Sequence, residues 1–336
     1  MLKDDFFLLS EIIKQKFISM SRFDTKQLER LHQFTEEFRN CTICPRECGS
    51  DRFSDRGYCN SGAEIAVSSV CVHRGEEPPI IGDGGICNIF FSRCNLQCIY
   101  CQNSQISSVS ENVVDHILDL KKVLDMIIPL LEKGAGAVGF VSPSHFVPIV
   151  KMIVAALRYR GYHPVFVYNT NAYEKVETIR ELDDYIDVFL PDYKYADSTL
   201  AKNYSNAKDY PGVALAAITE MKRLKGTNLP LNENGYATSG VIVRHMILPN
   251  HVENSLEVLR RLAIEISPLL HLSLMSQYFP AHKVIDHPEL GRVITSQEYE
   301  QVKSEMEKLG LSRGWWQEIE SSDSYRPDFL NSHPFE

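Results

Sequence analysis

The sequence predicts an α/β protein: a six-stranded parallel sheet covered by helices and able to curl into a partial (β/α)6 TIM barrel, behind a helical and cysteine-rich N-terminal extension. Three observations carry this expectation. Between residues 85 and 290, short runs rich in Val, Ile, Phe and Tyr alternate six times with amphipathic stretches, the pattern of βα units whose right-handed crossovers give a parallel sheet buried by helices. Residues 41–59 hold four cysteines among turn residues. The first strand-like run of the repeat series ends in a loop with three more.

Composition bounds the function. The chain has 336 residues, 44% of them apolar, which is room for a sizeable core. We divide it into N-terminal helices (1–40), a Cys-rich metal-binding segment and linker (41–84), a catalytic core (85–290) and a C-terminal helix and tail (291–336). The opening stretch MLKDDFFLLSEIIKQKF has acids in its first five residues and only short apolar runs, fitting neither a signal peptide nor a membrane span. A soluble, cytoplasmic protein is expected. The formal net charge of −9 disfavours a broad nucleic-acid surface, and Lys222, Arg223 and Lys225 read as a solvated helix end. Nine cysteines in two close-spaced groups read as metal ligands in a reducing compartment and not as a disulfide framework.

Taken in order, Phe6, Leu9, Ile12 and Ile13, then Leu28, Leu31, Phe34 and Phe38, recur at helical spacing and predict two outer helices. Cys41, Cys44, Cys48 and Cys59 then fall within nineteen residues, a spacing that closes a four-thiolate site, either zinc or an auxiliary iron–sulfur cluster. Such a segment has little apolar material of its own, so a metal would have to order it. Cys71 and Cys87 sit in β-like runs and read as buried small residues. HRGEEPPIIGDGG, residues 73–85, reads as a turn-rich connection to the core.

Strands are predicted at 86–91, 137–142, 164–169, 186–191, 241–248 and 271–276. The helices between them are predicted at 115–133, ended by Gly134; 145–160, capped by Ser144 and ended by Gly161; 174–184; 211–225; and 253–267, with a last one at 296–310. The loop from Gly226 to Gly240 reads as a lid or surface insertion. The tail from Gly314, with Trp315 and Trp316, is polar and aperiodic and either packs over the sheet or meets a partner.

Chemistry concentrates in NIFFSRCNLQCIYCQN, residues 88–103. Cys94, Cys98 and Cys101 share one tight loop, three residues separating the first pair and two the second. Three thiolates on a four-iron cluster leave one iron without a protein ligand, and an open iron is a place for reaction. The plainer alternative is a zinc knuckle that borrows a fourth ligand, such as Cys87. Later strand ends are polar as well: Ser142-Pro143-Ser144-His145, Tyr168-Asn169-Thr170-Asn171, Pro191-Asp192-Tyr193-Lys194, and Arg244. In a sheet of this kind functional residues lie at the C-terminal strand ends.

The Cys94/Cys98/Cys101 spacing, with Tyr100 directly before the third cysteine, resembles the signature of the radical S-adenosylmethionine (SAM) superfamily. The resemblance implies a six-stranded partial barrel over roughly residues 85–290, a 4Fe-4S cluster, and SAM chelated at its open iron. Asn171-Ala172, Asp192-x-Lys194 and Arg244 followed by Leu248-Pro249-Asn250 are similar, in order, to the Thr-Asn-Gly, Asp-x-Lys and Arg…Pro-Gly elements of glycyl-radical-enzyme activating enzymes. Ser142 stands where the superfamily carries a Gly-Gly-Glu-Pro-like element, without its glutamate. The upstream cysteines and Arg292-Val293-Ile294-Thr295 extend the likeness to the branch resembling pyruvate formate-lyase-activating enzyme. What it implies is an oxidoreductase that cleaves SAM reductively to a 5′-deoxyadenosyl radical and abstracts hydrogen, in that branch from a glycine of a partner protein. Tyr100, Ser142, Asn171, Asp192, Lys194 and Arg244 would bind SAM, and a flavodoxin or ferredoxin would supply the electron. The alternatives are radical SAM modification of a peptide side chain or small metabolite, and a non-catalytic, metal-stabilised binding or electron-transfer protein.

Overall fold

The computed structural model describes residues 33–110, 112–319, 326–331 and 333–335. Most of the predicted N-terminal helical region lies outside the described residues; inside them, Glu36–Asn40 form a short 3-10 turn with Phe38 fully buried.

The centre of the fold is a parallel series of six strands: β2 (Ile86–Phe91), β4 (Ala137–Val141), β5 (Val165–Thr170), β6 (Val188–Pro191), β7 (Gly240–Met246) and β8 (His271–Met275). These are the six expected strands, each within a few residues of its predicted bounds. The sheet is wider than expected. β1 (Ile65–His73) pairs antiparallel with β2, β3 (His116–Leu118) pairs antiparallel with β1, and β9 (Trp315–Trp316) joins β8 in parallel. The result is a nine-stranded mixed sheet in the order β3-β1-β2-β4-β5-β6-β7-β8-β9. The expected six-stranded parallel series is thus part of a wider, nine-stranded, mostly parallel sheet, and among the described residues no strand pairing joins its two edges. The run around Cys71 is therefore part of the sheet, and the tryptophan pair is an edge strand.

Strand alternation divides the sheet into two faces. Cys87, Ile89 and Phe91, Val138 and Phe140, Phe166 and Tyr168, Val241 and Val243, and Leu272 and Leu274 pack under the helices in the main core. Ile86, Ala137, Val167, Val188 and Ile242 point to the other face and form a separate apolar cluster with Ile80 and Tyr236. Cys87 is thus on the helix-covered face, about 13 Å of strand rise below Phe91. That geometry takes Cys87 away from the three-cysteine loop as a fourth ligand.

The covering helices are Leu120–Glu132, Val147–Tyr159, Val176–Glu181, Tyr210–Lys225 and Val252–Arg261. Helix Val147–Tyr159 is apolar almost all round and is correspondingly buried along nearly its whole length. Two expectations are corrected here. The stretch predicted to begin a helix at 115 first forms β3, and the helix starts only after Asp119, whose side chain accepts from the Lys122 amide. Ser144 caps nothing: its hydroxyl donates to Glu174 Oε1 at 2.5 Å, and the helix starts behind Phe146 without a side-chain cap. An unpredicted helix, Ser198–Ser205, precedes Tyr210–Lys225. The C-terminal helix Ser296–Lys308 starts on a reciprocal Thr295/Glu298 capping box.

The 226–240 loop closes the floor of the sheet. The Tyr236 hydroxyl receives the amides of Gly84 and Gly136 at 3.1 and 3.0 Å and donates to the Gly85 carbonyl at 3.1 Å. Gly85 and Gly136 directly precede β2 and β4, so this loop seals the N-terminal strand ends and leaves the C-terminal ends to the site.

Candidate active site

β2 ends at Phe91, and the backbone turns sharply through Arg93 (φ 72) and Gln97 (φ 63), both left-handed. Non-glycine residues hold that conformation only where the surroundings impose it. Here the Arg93 amide donates to Ile106 O at 2.6 Å, the Ile99 amide to Tyr204 O at 2.9 Å, and Gln97 Nε2 to Tyr58 O at 3.0 Å. This brings Cys94, Cys98 and Cys101 to the wall of one cleft.

Each of the three sulfurs has its own hydrogen-bond donor. Asn171 Nδ2 and the Leu96 amide donate to Cys94 Sγ, both at 3.4 Å. The Ser205 hydroxyl donates to Cys98 Sγ at 3.0 Å, and the Ser107 hydroxyl to Cys101 Sγ at 3.1 Å. Donors aimed at sulfur stabilise thiolates and tune iron–sulfur centres. Burial pushes the Cys98 thiol up to about 12 and raises Cys101 too, so burial works against the charged form of both. Among the described residues no three His, Cys, Asp or Glu side chains converge tightly enough to hold a single ion. A four-iron cluster asks for a wider set, because each thiolate ligates a different iron. Three hydrogen-bonded thiols on one cleft wall fit such a group.

The cleft, about 210 Å³, collects every predicted SAM-pocket residue: Tyr100, Ser142, Asn171, Asp192, Lys194 and Arg244. They arrive from the loop and from the C-terminal ends of β4, β5, β6 and β7. Asp192 is the hub. Arg244 Nε reaches its Oδ1 at 2.8 Å and Lys194 Nζ its Oδ2 at 2.7 Å. Burial raises the Asp192 carboxyl, but the two cations outweigh it and hold the group below the usual carboxylate range. Burial works against the Lys194 ammonium, yet Asp192 keeps it above its ordinary value. Arg244 also donates to Asn169 Oδ1 at 2.6 Å and faces Glu76 at 3.5 Å. Both cations therefore already have a carboxylate partner, and a ligand carboxylate would have to share them with Asp192.

Two of the family-like elements have a backbone explanation. Ala172, in place of the resemblance's glycine, has φ 60, and Asn250 has φ 65. Both positions need the left-handed region that glycine enters freely and Asn tolerates. Ser142, φ 53, donates its amide to Asn169 O at 2.9 Å. Tyr100 is buried; its hydroxyl accepts from Tyr195 at 2.7 Å, and its ring packs edge-on to Tyr195, Tyr204 and Tyr278.

Sequence reasoning missed a polar layer under the cleft. Glu76 Oε1 accepts from Asn88 and Asn169 at 3.1 and 3.2 Å, and Glu77 accepts from Trp315 Nε1. A Cβ at Gly139 would meet Asn88 Oδ1 at 2.0 Å, so the glycine makes room for this amide. The adjacent acids in HRGEEPP were the available signal, hidden by the turn composition around them.

The upstream cysteines form no helix or strand. Cys41, Cys44 and Cys59 are buried, Cys48 is exposed, and all nine cysteines of the chain are free thiols. The Cys41 amide donates to Ser50 O and the Gly49 amide to Cys41 O, both at 3.0 Å, folding the segment back on itself. Burial raises Cys44 to about 12, with smaller contributions from the neighbouring Cys59, Glu174 and Cys41. Glu174 is the other buried acid that the sequence did not reveal: it takes hydroxyls from Ser144, Thr170 and Tyr168 on Oε1, and burial raises it to about 7.

No family model matches the chain. The curated protein "Uncharacterized protein MJ0674" of Methanocaldococcus jannaschii is 27% identical over 277 residues, 82% of this chain and 76% of that one. Among solved structures, methylornithine synthase PylB matches with a TM-score of 0.47 and 13% identity, covering 90% of this chain and 74% of that one. The FeFe-hydrogenase maturase HydG from Carboxydothermus hydrogenoformans matches with a TM-score of 0.50 and 10% identity, covering 92% of this chain and 70% of that one. With HydG the chain shares its fold.

Proposed function

We propose that the protein is a radical SAM enzyme. The observation that carries the reading is the convergence of the three hydrogen-bonded thiols of Cys94, Cys98 and Cys101 on a cleft that also collects polar residues from four successive strand ends. A 4Fe-4S cluster held there, with SAM and one electron, supplies a 5′-deoxyadenosyl radical. The chain's own residues bind and orient. Cys94, Cys98 and Cys101 hold three irons; Lys194 and Arg244 share their charge with the SAM carboxylate; Asn171 and Asp192 take hydroxyls or the amino group; Ser142 and Tyr100 border the site. No side-chain nucleophile or general base is required, because the bond-breaking group belongs to SAM.

For the substrate, the ordered strand-end elements around Asn171, Asp192, Lys194 and Arg244 support the activating-enzyme-like branch, in which the hydrogen comes from a glycine of a partner protein. A flavodoxin or ferredoxin is the proposed electron donor. The upstream Cys41, Cys44, Cys48 and Cys59, which do not converge tightly enough in this structure to hold a single ion, are proposed to close around zinc or an auxiliary cluster as a second, structural site when the metal binds. Among the described residues no helix is long and apolar enough to cross a membrane.

The test is anaerobic reconstitution with iron and sulfide, addition of SAM and a low-potential reductant, and quantification of 5′-deoxyadenosine and methionine. Formation of both supports the reading. A reduced, SAM-replete protein that yields neither leaves the metal-stabilised binding or electron-transfer alternative. Transfer of deuterium into 5′-deoxyadenosine from candidate proteins, peptides or metabolites labelled at carbon-bound positions separates the substrate classes.

A further inference from the structure

Arg46 belongs to the upstream segment, between Cys44 and Cys48, but its guanidinium leaves that segment. Nε donates to the Asn95 carbonyl at 2.9 Å, Nη1 to the Asn206 carbonyl at 2.7 Å, and Nη2 to the Ser205 carbonyl at 3.3 Å. The group lies over two rings, 4.0 Å from the Tyr58 centroid and 4.9 Å from that of Tyr173. Three carbonyls are therefore served by one planar fork that also lies over two aromatic rings, a task for which a lysine has neither the donors nor the shape.

The carbonyls Arg46 selects are next to the cysteine ligands. Asn95 follows Cys94 in sequence; its side-chain Oδ1 accepts from Asn171 Nδ2 at 2.9 Å, the same nitrogen that donates to Cys94 Sγ. Ser205 is the residue whose hydroxyl donates to Cys98 Sγ. The grip is reinforced by Gln97, within the cysteine loop, which donates to the Tyr58 carbonyl in the upstream segment.

We propose that Arg46 is a positioning residue for the cysteine loop: it fixes the backbone beside Cys94 and the hydroxyl donor of Cys98, and through it the upstream segment sets the geometry of the site. The proposal rests on the reading above for the occupant, an iron–sulfur cluster. It gives the four-cysteine segment a task beyond its own folding, since whatever orders residues 41–59 also orders Arg46. Losing a residue that orients metal ligands typically costs about 10- to 100-fold in metal retention.

The experiment compares the anaerobically reconstituted parent chain with Arg46→Ala, Arg46→Lys and, as a control in the same segment, Arg56→Ala; Arg56 is half-exposed and its ion pair among the described residues is with Glu64, at 3.0 Å. Three readouts are taken: the rate of iron loss to a strong chelator, the electron paramagnetic resonance signal of the reduced cluster, and the melting temperature of the metal-free chain. Arg46→Ala should lose iron roughly 10- to 100-fold faster and shift or broaden the signal, with dilute guanidinium restoring both and Arg46→Lys not doing so. Arg56→Ala should behave as the parent.

Parent-like iron retention and signal in Arg46→Ala would overturn the proposal. So would a collapse of the melting temperature in both Arg46 variants, which would make the residue a general fold contact. A parent chain that assembles no cluster, or assembles one that does not cleave SAM, instead defeats the functional reading.

Discussion

Asn171 Nδ2 donates at once to Cys94 Sγ at 3.4 Å and to Asn95 Oδ1 at 2.9 Å. One amide from the end of β5 thereby ties a strand terminus to the cysteine loop at the end of β2, across the intervening β4. The cluster-binding loop is in this sense a shared product of several strands, and the predictions separate what each part does.

Cys98→Ala should abolish SAM cleavage and leave any metal at Cys41, Cys44, Cys48 and Cys59 in place, because the two groups of thiols are on different segments. Metal analysis of a variant lacking Cys94, Cys98 and Cys101 then reads the upstream site alone. About one zinc per chain identifies zinc, and iron with acid-labile sulfide identifies an auxiliary cluster. A well-folded chain with neither ends the second-site proposal. Cleavage retained in Cys98→Ala removes the loop from the chemistry.

Lys194→Ala and Arg244→Ala should each weaken SAM binding without loss of the cluster. A charge-assisted contact at a mostly buried position is worth on the order of 1.5 to 3 kcal/mol, roughly ten- to hundredfold in affinity. Both side chains have limited exposure, 18% and 14%. Equilibrium binding measured anaerobically checks this. SAM affinity equal to the parent's in both variants would mean that the Asp192 pairs only brace the strand ends.

Tyr236→Phe should destabilise the fold by about 1 to 3 kcal/mol, because it strips a shared hydroxyl from two half-buried amides and a buried carbonyl, and it should leave SAM affinity unchanged. Tyr236 is at the N-terminal strand ends, away from the cleft. Denaturant midpoints together with SAM titration test both halves, and a loss of SAM binding at parental stability contradicts the floor assignment.

Glu174 predicts a pH dependence. Burial raises its folded value from 4.5 to about 7, so the native state holds a proton that the unfolded chain has released. Its contribution is complete below about 4.5 and is lost as pH rises to about 7, on the order of 3 kcal/mol at 1.36 kcal/mol per unit. Glu174→Gln removes this titration. Across that window the parent's unfolding free energy should fall relative to the variant's; parallel curves would show that Glu174 stays near its ordinary value.

The sequence by itself determined the six central strands and the three-cysteine loop, because both are local signals: strand-length apolar runs, and ligands spaced three and two residues apart. It also singled out Asn171, Asp192, Lys194 and Arg244, since each follows or ends a recognisable strand and parallel strands gather such ends on one side of a sheet. Tertiary structure decided the rest. β1, β3 and β9 are short or antiparallel additions whose pairing is set by edge hydrogen bonds to distant residues. Ser144 has the look of a helix cap in sequence, but Glu174 captures its hydroxyl from thirty residues away. Tyr236, Glu76 and Arg46 sit in stretches that read as loop or metal segment, and their roles come from partners as far as 168 residues away. A hydrogen bond between such residues leaves no periodicity in the chain, so only the packed sheet reveals that Arg46 reaches the carbonyls beside Cys94 and Cys98's donor.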